Sequence, residues 1–153
     1  MKIFIAADHR GVQLKSEIKE YLRELGHTVV DMGADSSDTP CDYPPLAYRV
    51  ARSVVKQKTA RGILLCMSGI GISIAANKVP GAYAALCYNA EVARLSRQHN
   101  NANILVMGAK FVLKEEMRRI IRVWLETKFE GGRHMRRIRK IKDIEKKVVN
   151  GEV

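Results

Sequence analysis

At 153 residues the chain is long enough to bury a sizeable core, and we expect a single domain over residues 1–153. No apolar run approaches the roughly 20 residues that span a bilayer, and the balance of 46% hydrophobic and 28% charged residues is typical of a globular protein. The three cysteines form no C-x-x-C pair and the four histidines are scattered, which argues against a disulfide framework and a metal site and favours a cytoplasmic protein.

The formal net charge of +11 is concentrated near the end of the chain. Between Arg133 and Lys147 the sequence has eight basic residues against two acidic ones. Such a segment suits a nucleic acid, a phosphorylated small molecule or solubility alone, and charge by itself does not choose among them.

Short apolar runs alternate with longer amphipathic segments along the whole chain. In chain order the pattern predicts strand Lys2–Ala7, helix Val12–Leu25, strand His27–Met32, helix Pro44–Gln57, strand Gly62–Cys66, helix Ile70–Asn77, strand Ala82–Cys87, helix Ala90–Gln98, strand Ile104–Gly108, helix Lys114–Lys128 and helix Gly132–Val149. Continuous apolar strands are typical of a parallel sheet that is covered on both faces. We therefore predict an α/β fold, a Rossmann-like three-layer α/β/α sandwich with a five-stranded parallel sheet and a basic C-terminal helix.

Ligands of such sheets bind at the carboxyl ends of the strands. That rule selects Asp8 and His9 after the first strand, Tyr43 one loop later, and the segment from Cys66 to Gly71. For Asp8 and His9 the alternative is a helix cap and a solvated loop residue, and the two roles are compatible.

Cys66 ends a buried strand and is followed by a glycine loop and the start of a helix. Unpaired backbone N–H groups and the helix dipole stabilise a thiolate there, and they can also hold an anionic substrate oxygen. A free cysteine is as often a small buried hydrophobic residue, which is our interpretation of Cys87. The loop lacks G-x-G-x-x-G and the lysine of a P-loop, so a nucleotide site of either kind is disfavoured here.

Three further residues are candidates for chemistry. His99 follows a helix in a polar stretch, where it serves either as a general acid or base or as a stabiliser of the helix end. Arg133 and Arg137 are four residues apart, so they share one helix face and form either a phosphate clamp or a solvated basic surface.

These motifs together resemble those of the ribose-5-phosphate isomerase B type of sugar-phosphate isomerases, which includes the galactose-6-phosphate isomerase subunits. The likeness covers about residues 2–147. It rests on Ala7-Asp8-His9, Asp42-Tyr43-Pro44, Cys66-Met67-Ser68-Gly69-Ile70-Gly71, Ser73-Ile74-Ala75-Ala76-Asn77-Lys78, Leu95-Ser96-Arg97-Gln98-His99-Asn100 and Phe129-Glu130-Gly131-Gly132-Arg133-His134 with Arg137.

The resemblance implies interconversion of ribose 5-phosphate and ribulose 5-phosphate in the pentose phosphate pathway, through a cis-enediol and without cofactor or metal. It implies that Cys66 is the base and that His99 assists ring opening, with Asp8 and Tyr43 nearby. For substrate binding it implies the loop residues Met67, Ser68, Gly69, Ile70 and Gly71, together with His9, Asn100, Lys110, Arg133 and Arg137. It also implies a homodimer or a tetramer with its sites at the subunit interface, to which the C-terminal helix contributes.

The chain departs from the family pattern at three positions. Met67 and Ser68 replace the glycine and threonine of the usual Cys-Gly-Thr-Gly loop, and Lys110 stands where the family often has arginine. Ser68 keeps a hydroxyl, whereas Lys110 offers a point charge in place of a fork.

Two other functions stay open from the sequence. One is isomerisation of a hexose 6-phosphate such as allose or galactose 6-phosphate. The other is a nucleic-acid-binding module, which we disfavour because the basic terminal helix carries no aromatic residue.

Overall fold

A computed structural model describes residues 1–152 of the chain. Its strands are β1 (Lys2–Ala7), β2 (Thr28–Asp31), β3 (Arg61–Cys66), β4 (Ala84–Leu86) and β5 (Ile104–Gly108). Its helices are α1 (Val12–Glu24), α2 (Tyr43–Lys56), α3 (Ile70–Ala76), α4 (Ala90–Asn100), α5 (Lys114–Glu126) and α6 (Gly132–Val149). A 3-10 turn, His9–Gly11, leads from β1 into α1.

The five strands form one parallel sheet in the order β2-β1-β3-β5-β4. Side chains alternate between the two faces of a strand, so Ile3 and Ile5 pack into one core while Phe4 packs into the other. Helices α1, α4 and α5 cover the first face, and α2 and α3 cover the second. The predicted three-layer α/β/α sandwich is therefore confirmed.

The edge strand β4 is the element whose predicted bounds differ most from the structure. Only Ala84–Leu86 pair in place of the predicted Ala82–Cys87, because β4 lies at the end of the sheet with β5 as its single neighbour. On its amino side the chain turns at Ala82, whose N–H donates to the Val79 carbonyl. The other predicted elements agree with the structure to within two residues at each end.

A buried ion pair fixes the loop after β2. The ammonium of Lys15, which is 3% exposed, lies 2.9 Å from the Asp31 carboxylate and also donates to the Ala34 carbonyl. Burial alone would raise the pKa of Asp31, but hydrogen bonds from Lys19, the Gly33 N–H and Lys15 outweigh it and lower that pKa. This pair holds α1 against β2 at the edge of the sheet that carries the site.

In the described part of the chain, no helix combines the length and apolar character that crossing a membrane requires.

Candidate active site

β1 and β3 lie side by side at the centre of the sheet. Successive strands are added on one side of this pair up to β2 and on the other side from β3 onward, so the strand order changes direction between them. Their registered pairing brings Ala7 next to Leu65, so the residues that follow the two strands meet at the carboxyl edge. The Asp8 N–H donates to the Leu65 carbonyl at 3.2 Å and ties these two strand ends together. This is the position at which doubly wound sheets bind their ligands.

The Cys66 thiol ends β3 and is 4% exposed. The Gly69 N–H points back at it, with a distance of 3.1 Å between nitrogen and sulfur. Gly69 adopts a left-handed conformation with φ of 81°, and this turns its N–H toward the thiol. A thiolate at this position would receive a backbone hydrogen bond, as the sequence predicts.

The loop around Cys66 is packed closely against the end of β5. At Gly108 a Cβ atom would lie 2.6 Å from the Ser68 carbonyl oxygen, so only glycine allows this approach. The Ala109 and Lys110 N–H groups donate to the Cys66 and Met67 carbonyls. The loop's carbonyls are therefore turned toward β5, while the N–H groups of Met67 and Ser68 have no partner within residues 1–152.

Tyr43 begins α2 and lies over the start of α3. A Cβ atom at Gly71 would collide with its hydroxyl group, so Gly71 makes room for the phenol ring. Tyr43 and Cys66 belong to the same core cluster, which places both on the α2 and α3 side of the sheet. Ser68 is half-buried beside them and accepts a hydrogen bond from the Ile70 N–H at 3.3 Å.

Asp8 and His9 lie at the end of β1, where the sequence predicts them. The buried Asp8 carboxylate accepts a hydrogen bond from the Arg10 N–H and caps the 3-10 turn, whereas the alternative interpretation predicts a cap of the Val12 helix, whose N-cap is Gly11. His9 accepts the Cys41 N–H at Nδ1, which leaves Nε2 as the nitrogen that carries the proton when the ring is neutral. His9 also lines a cavity of about 760 Å³ beside the Cys66 loop.

That cavity has a basic end formed by His9, Arg10 and Lys110, with Met67 on its wall. Arg10 was not predicted as a site residue, and its guanidinium lies 3.8 Å from the Met67 sulfur. The only signal in the sequence is its position two residues after the strand-end Asp8. Met67 is 42% exposed, so the loop accepts a side chain where the family often has glycine by directing it into this cavity.

The remaining predicted residues form a second group near the amino ends of the strands, away from the carboxyl ends that carry Cys66. Helix α4 runs back along the sheet from the end of β4 and finishes just before β5 begins, so His99 and Asn100 lie near the amino edge of the sheet. Cys66 pairs with Gly108 at the other end of β5, roughly 13 Å further along the strand. The structure therefore does not bring His99 and Asn100 to the Cys66 of the same chain.

The His99 side chain contacts two residues of the segment that leads into and begins α6. Its ring stacks on the ring of His134, with centroids 4.1 Å apart and planes 8° from parallel. A Glu130 carboxylate oxygen lies 3.4 Å from His134 Nε2 and 3.9 Å from His99 Nε2. Burial and the neighbouring His99 and Arg133 lower the pKa of His134, which favours its neutral form.

The same three side chains are the candidates for holding a metal ion in the described part of the chain. Their donor atoms at His99, Glu130 and His134 all lie within 4.8 Å of one another. Parallel stacked rings, however, direct their nitrogen lone pairs along parallel lines, so one ion cannot lie in the plane of both imidazoles. As placed, the cluster suits proton exchange better than metal binding.

Arg133 and Arg137 are exposed in the first two turns of α6 and close to this cluster. Glu130 and His134 were not predicted as contacts of His99, although both stand in the segment Glu130-Gly131-Gly132-Arg133-His134 that contributes to the resemblance. The predicted site residues thus form one group around Cys66, at the carboxyl ends of the strands, and another around His99, near their amino ends.

Known proteins that are similar to this chain include sugar-phosphate isomerases. The sequence model described as Ribose/Galactose Isomerase matches residues 3–141. The chain is 47% identical to the putative sugar phosphate isomerase YwlF of Bacillus subtilis over 147 residues, which cover 96% of this chain and 99% of that protein. It is 44% identical to ribose-5-phosphate isomerase B of Escherichia coli over 146 residues, 95% of this chain and 97% of that protein.

Among solved structures, ribose-5-phosphate isomerase B of Mycoplasma genitalium with bound ribulose 5-phosphate superposes with a TM-score of 0.91 at 46% identity. The match covers 95% of this chain and 96% of that one.

Proposed function

Since the chain belongs to the ribose/galactose isomerase family, we propose that it interconverts ribose 5-phosphate and ribulose 5-phosphate with Cys66 as the base. The observation that carries the mechanism is the Gly69 N–H directed at the Cys66 sulfur, next to the unpartnered N–H groups of Met67 and Ser68.

In the forward direction the Cys66 thiolate removes the proton from C2 of the open-chain aldose. The electron pair of the C2–H bond forms the C1=C2 double bond while the π pair of the C1 carbonyl moves to O1, which gives a cis-enediolate. A proton then passes from O2 to O1, and Cys66 returns its proton to C1 as the C2 carbonyl of the ketose forms. The Met67 and Ser68 N–H groups stabilise the negative oxygen of the intermediate, and the Ser68 hydroxyl donates to a substrate oxygen. Gly69, Ile70 and Gly71 complete the turn that holds these donors.

The phosphate group fits the basic end of the cavity. Lys110 and Arg10 supply positive charge there, and His9 donates from Nε2 because its Nδ1 is occupied by the Cys41 N–H. Lys110 contributes as a point charge where an arginine would bind through a fork. Asp8 and Tyr43 flank the sugar ring on the side of the Cys66 loop.

We further propose that a second copy of the chain completes each site. His99 and Asn100 lie at the sheet edge opposite Cys66 of their own chain, so they reach a thiol only across a subunit interface. A symmetric dimer would supply His99 for ring opening, Asn100 for the sugar hydroxyls, and Arg133 and Arg137 for the phosphate. The basic start of α6 thereby gains a substrate-binding role. The three unpaired thiols suit work in the cytoplasm.

A mixing experiment tests the shared site together with the reaction. Cys66→Ala and His99→Asn chains are each assayed on ribose 5-phosphate, then mixed after unfolding and refolding together. Each variant alone should be nearly inactive, while random pairing in an equal mixture restores about a quarter of the wild-type sites. Failure to recover activity, with both variants folded and dimeric, would contradict the shared site.

The role of His99 is tested with the ring form of the substrate. His99→Asn should slow the closed furanose by about 10²-fold and an open-chain aldose much less, because only the former needs a proton shuttle to open. Equal losses on both would rule out a ring-opening role. Parallel assays with allose and galactose 6-phosphate establish the preference for pentose over hexose.

A further inference from the structure

A second cavity lies at the amino edge of the sheet, away from the Cys66 loop. It has a volume of about 680 Å³ and lies between the second half of α6 and the residues that enter β3, β4 and β5. Its apolar wall is contributed by α2, by the turns before β3 and β4 and by the end of α6, through Val54, Val55, Ala60, Pro80 and Val149. We call this space the amino-edge groove.

The polar side of the amino-edge groove carries an excess of positive charge. Lys58, Arg61, Lys142 and Lys146 line it, and within residues 1–152 none of the four forms an ion pair with a carboxylate. Against the single carboxylate of Glu145, which also lines the groove, these four cations leave a net charge of +3 (four positive, one negative).

Glu145, the one carboxylate that lines the groove, accepts hydrogen bonds from two groups at the entry to β4. It accepts hydrogen bonds from the Gly81 N–H at 3.2 Å and from the Tyr83 hydroxyl at 3.5 Å. Burial and this carboxylate raise the pKa of Tyr83 to about 12, so the phenol stays protonated as a donor. Glu145 thus fastens α6 to the sheet and leaves the lysines beside it free.

A fifth cation lies behind the groove wall. The Arg97 side chain is buried, with the residue 6% exposed, and donates to the Asn101 side chain at 2.9 Å and to the Ala102 carbonyl. Burial and the nearby Arg61 lower the pKa of Arg97 to about 10. Within residues 1–152, the Arg61 side chain donates to the Ala60 carbonyl alone. Two neighbouring guanidinium groups without a carboxylate form an unfavourable arrangement that a bound anion would relieve.

The basic residues of α6 divide between the two sites. Arg133 and Arg137 belong to the start of the helix, whereas Lys142 and Lys146 stand one turn apart further along and share the face that lines the groove. Lys140 and Lys147 are also exposed but do not line it. The proposed isomerase site therefore gives no role to the basic residues in the second half of α6.

We propose that the amino-edge groove is a second ligand site for an organic polyphosphate of the nucleoside diphosphate class. The phosphates would contact Arg61, Lys142 and Lys146, and the nucleoside would lie against the apolar wall. A cavity of this volume is in the range that small-molecule sites occupy. The groove lies at the same amino edge as His99 and Asn100, but neither residue lines it, and the proposal does not depend on the reaction assigned to the catalytic site.

Calorimetric titration of the full-length protein with ADP tests this proposal. The double variant Arg61→Gln/Lys146→Gln is compared with Lys140→Gln/Lys147→Gln, which removes the same charge from outside the groove. We expect wild type to bind ADP with one saturable site per chain, the groove variant to lose at least about 10-fold in affinity, and the control to change less than about 2-fold. Adenosine should bind at least about 10-fold more weakly than ADP.

Several outcomes would overturn the proposal. Equal losses in both double variants would indicate general charge attraction, and equal binding of adenosine would remove the phosphate contacts. ADP could instead bind in the catalytic site. In that case it would inhibit the isomerase competitively with an inhibition constant equal to its dissociation constant, and the groove variant would show the same inhibition. Wild-type isomerase activity in both double variants serves as the check that they fold.

Discussion

Two buried thiols end neighbouring segments of this chain and differ in every contact that matters for reactivity. Cys66 ends β3 and faces the α2 and α3 layer, while Cys87 follows β4 and faces the opposite layer. At Cys66 a backbone N–H donates to the sulfur, whereas Cys87 itself donates toward the Ala85 carbonyl and the Ser96 hydroxyl. The direction of the hydrogen bonds around each thiol, together with the burial that raises the pKa of Cys87, separates the candidate base from the core residue.

The difference originates in how the next helix is capped. Asn89 caps α4 with its own side chain, which accepts the Val92 N–H at 2.8 Å and satisfies that donor. Gly69 caps α3 without a side chain, so donors near that helix start remain available to the thiol and to a substrate oxygen. In the proposed mechanism, the missing side-chain cap at Gly69 leaves these donors for the thiolate and the substrate oxygen.

The largest effect expected from this comparison is on turnover. Cys66→Ala removes the proposed base and should lower kcat about 10³-fold or more, at a cost in stability of about 1 kcal/mol. Cys87→Ala is the matched control at the other strand end and should keep kcat within about 3-fold of wild type. Near-normal turnover of Cys66→Ala in a coupled isomerase assay would contradict the mechanism.

Alkylation should separate the two thiols without a mutation. Burial raises the pKa of Cys87 to about 11, so at pH 8 only about 0.1% of that thiol is ionised. Iodoacetamide should therefore modify Cys66 at least about 10²-fold faster, as followed by mass spectrometry of the digested protein, and ribulose 5-phosphate should protect it. Comparable rates at the two cysteines would remove the distinction.

Much of the fold could be predicted from the sequence because its strands are continuous apolar runs. β1 and β5 agree with their predicted bounds for that reason. The order of the strands could not be predicted, since it depends on which side of the sheet each crossover takes. The bounds of β4 were wrong because pairing at an edge depends on the neighbouring strand rather than on apolar character.

The candidate site could be predicted in part. The strand-end rule brings Asp8, His9 and the Cys66 loop together, and the structure places them at one edge. His99 was a candidate from its polar stretch, but its stacking on His134 joins residues 35 positions apart that no local pattern connects. That His99 and Cys66 lie at opposite ends of the strands follows from the sheet topology, which the sequence pattern does not specify.

A smaller effect is expected when the N–H donor is displaced rather than the thiol. At Gly69 an added Cβ would lie 2.5 Å from a Leu86 methyl carbon, and the left-handed backbone adds strain of about 1–2 kcal/mol. Gly69→Ala should therefore lower kcat about 10- to 100-fold as the hydrogen bond to Cys66 is lost.

Gly26→Ala is the matched control for that backbone strain. Gly26 has φ of 76°, and a Cβ there would meet nothing within 4 Å. In urea unfolding it should lose the roughly 1–2 kcal/mol that backbone strain alone costs, while Gly69→Ala should lose more because of the Leu86 contact. Gly26→Ala should keep its kcat. Equal kcat for the two variants would show that the Gly69 N–H does not assist the thiol.

The smallest effect concerns the inert thiol and the dependence of stability on pH. The raised pKa of Cys87 means that the folded chain keeps a proton which the unfolded chain releases at lower pH. The thiol therefore contributes its full stability below about pH 9 and loses it as the pH rises toward about 11, a change of the order of 2 kcal/mol. Cys87→Ala should flatten this decline, whatever constant packing cost it adds at pH 8. The measurement is the free energy of unfolding in urea across that range for both proteins, and parallel curves would show that Cys87 is no more shielded from solvent than an ordinary thiol.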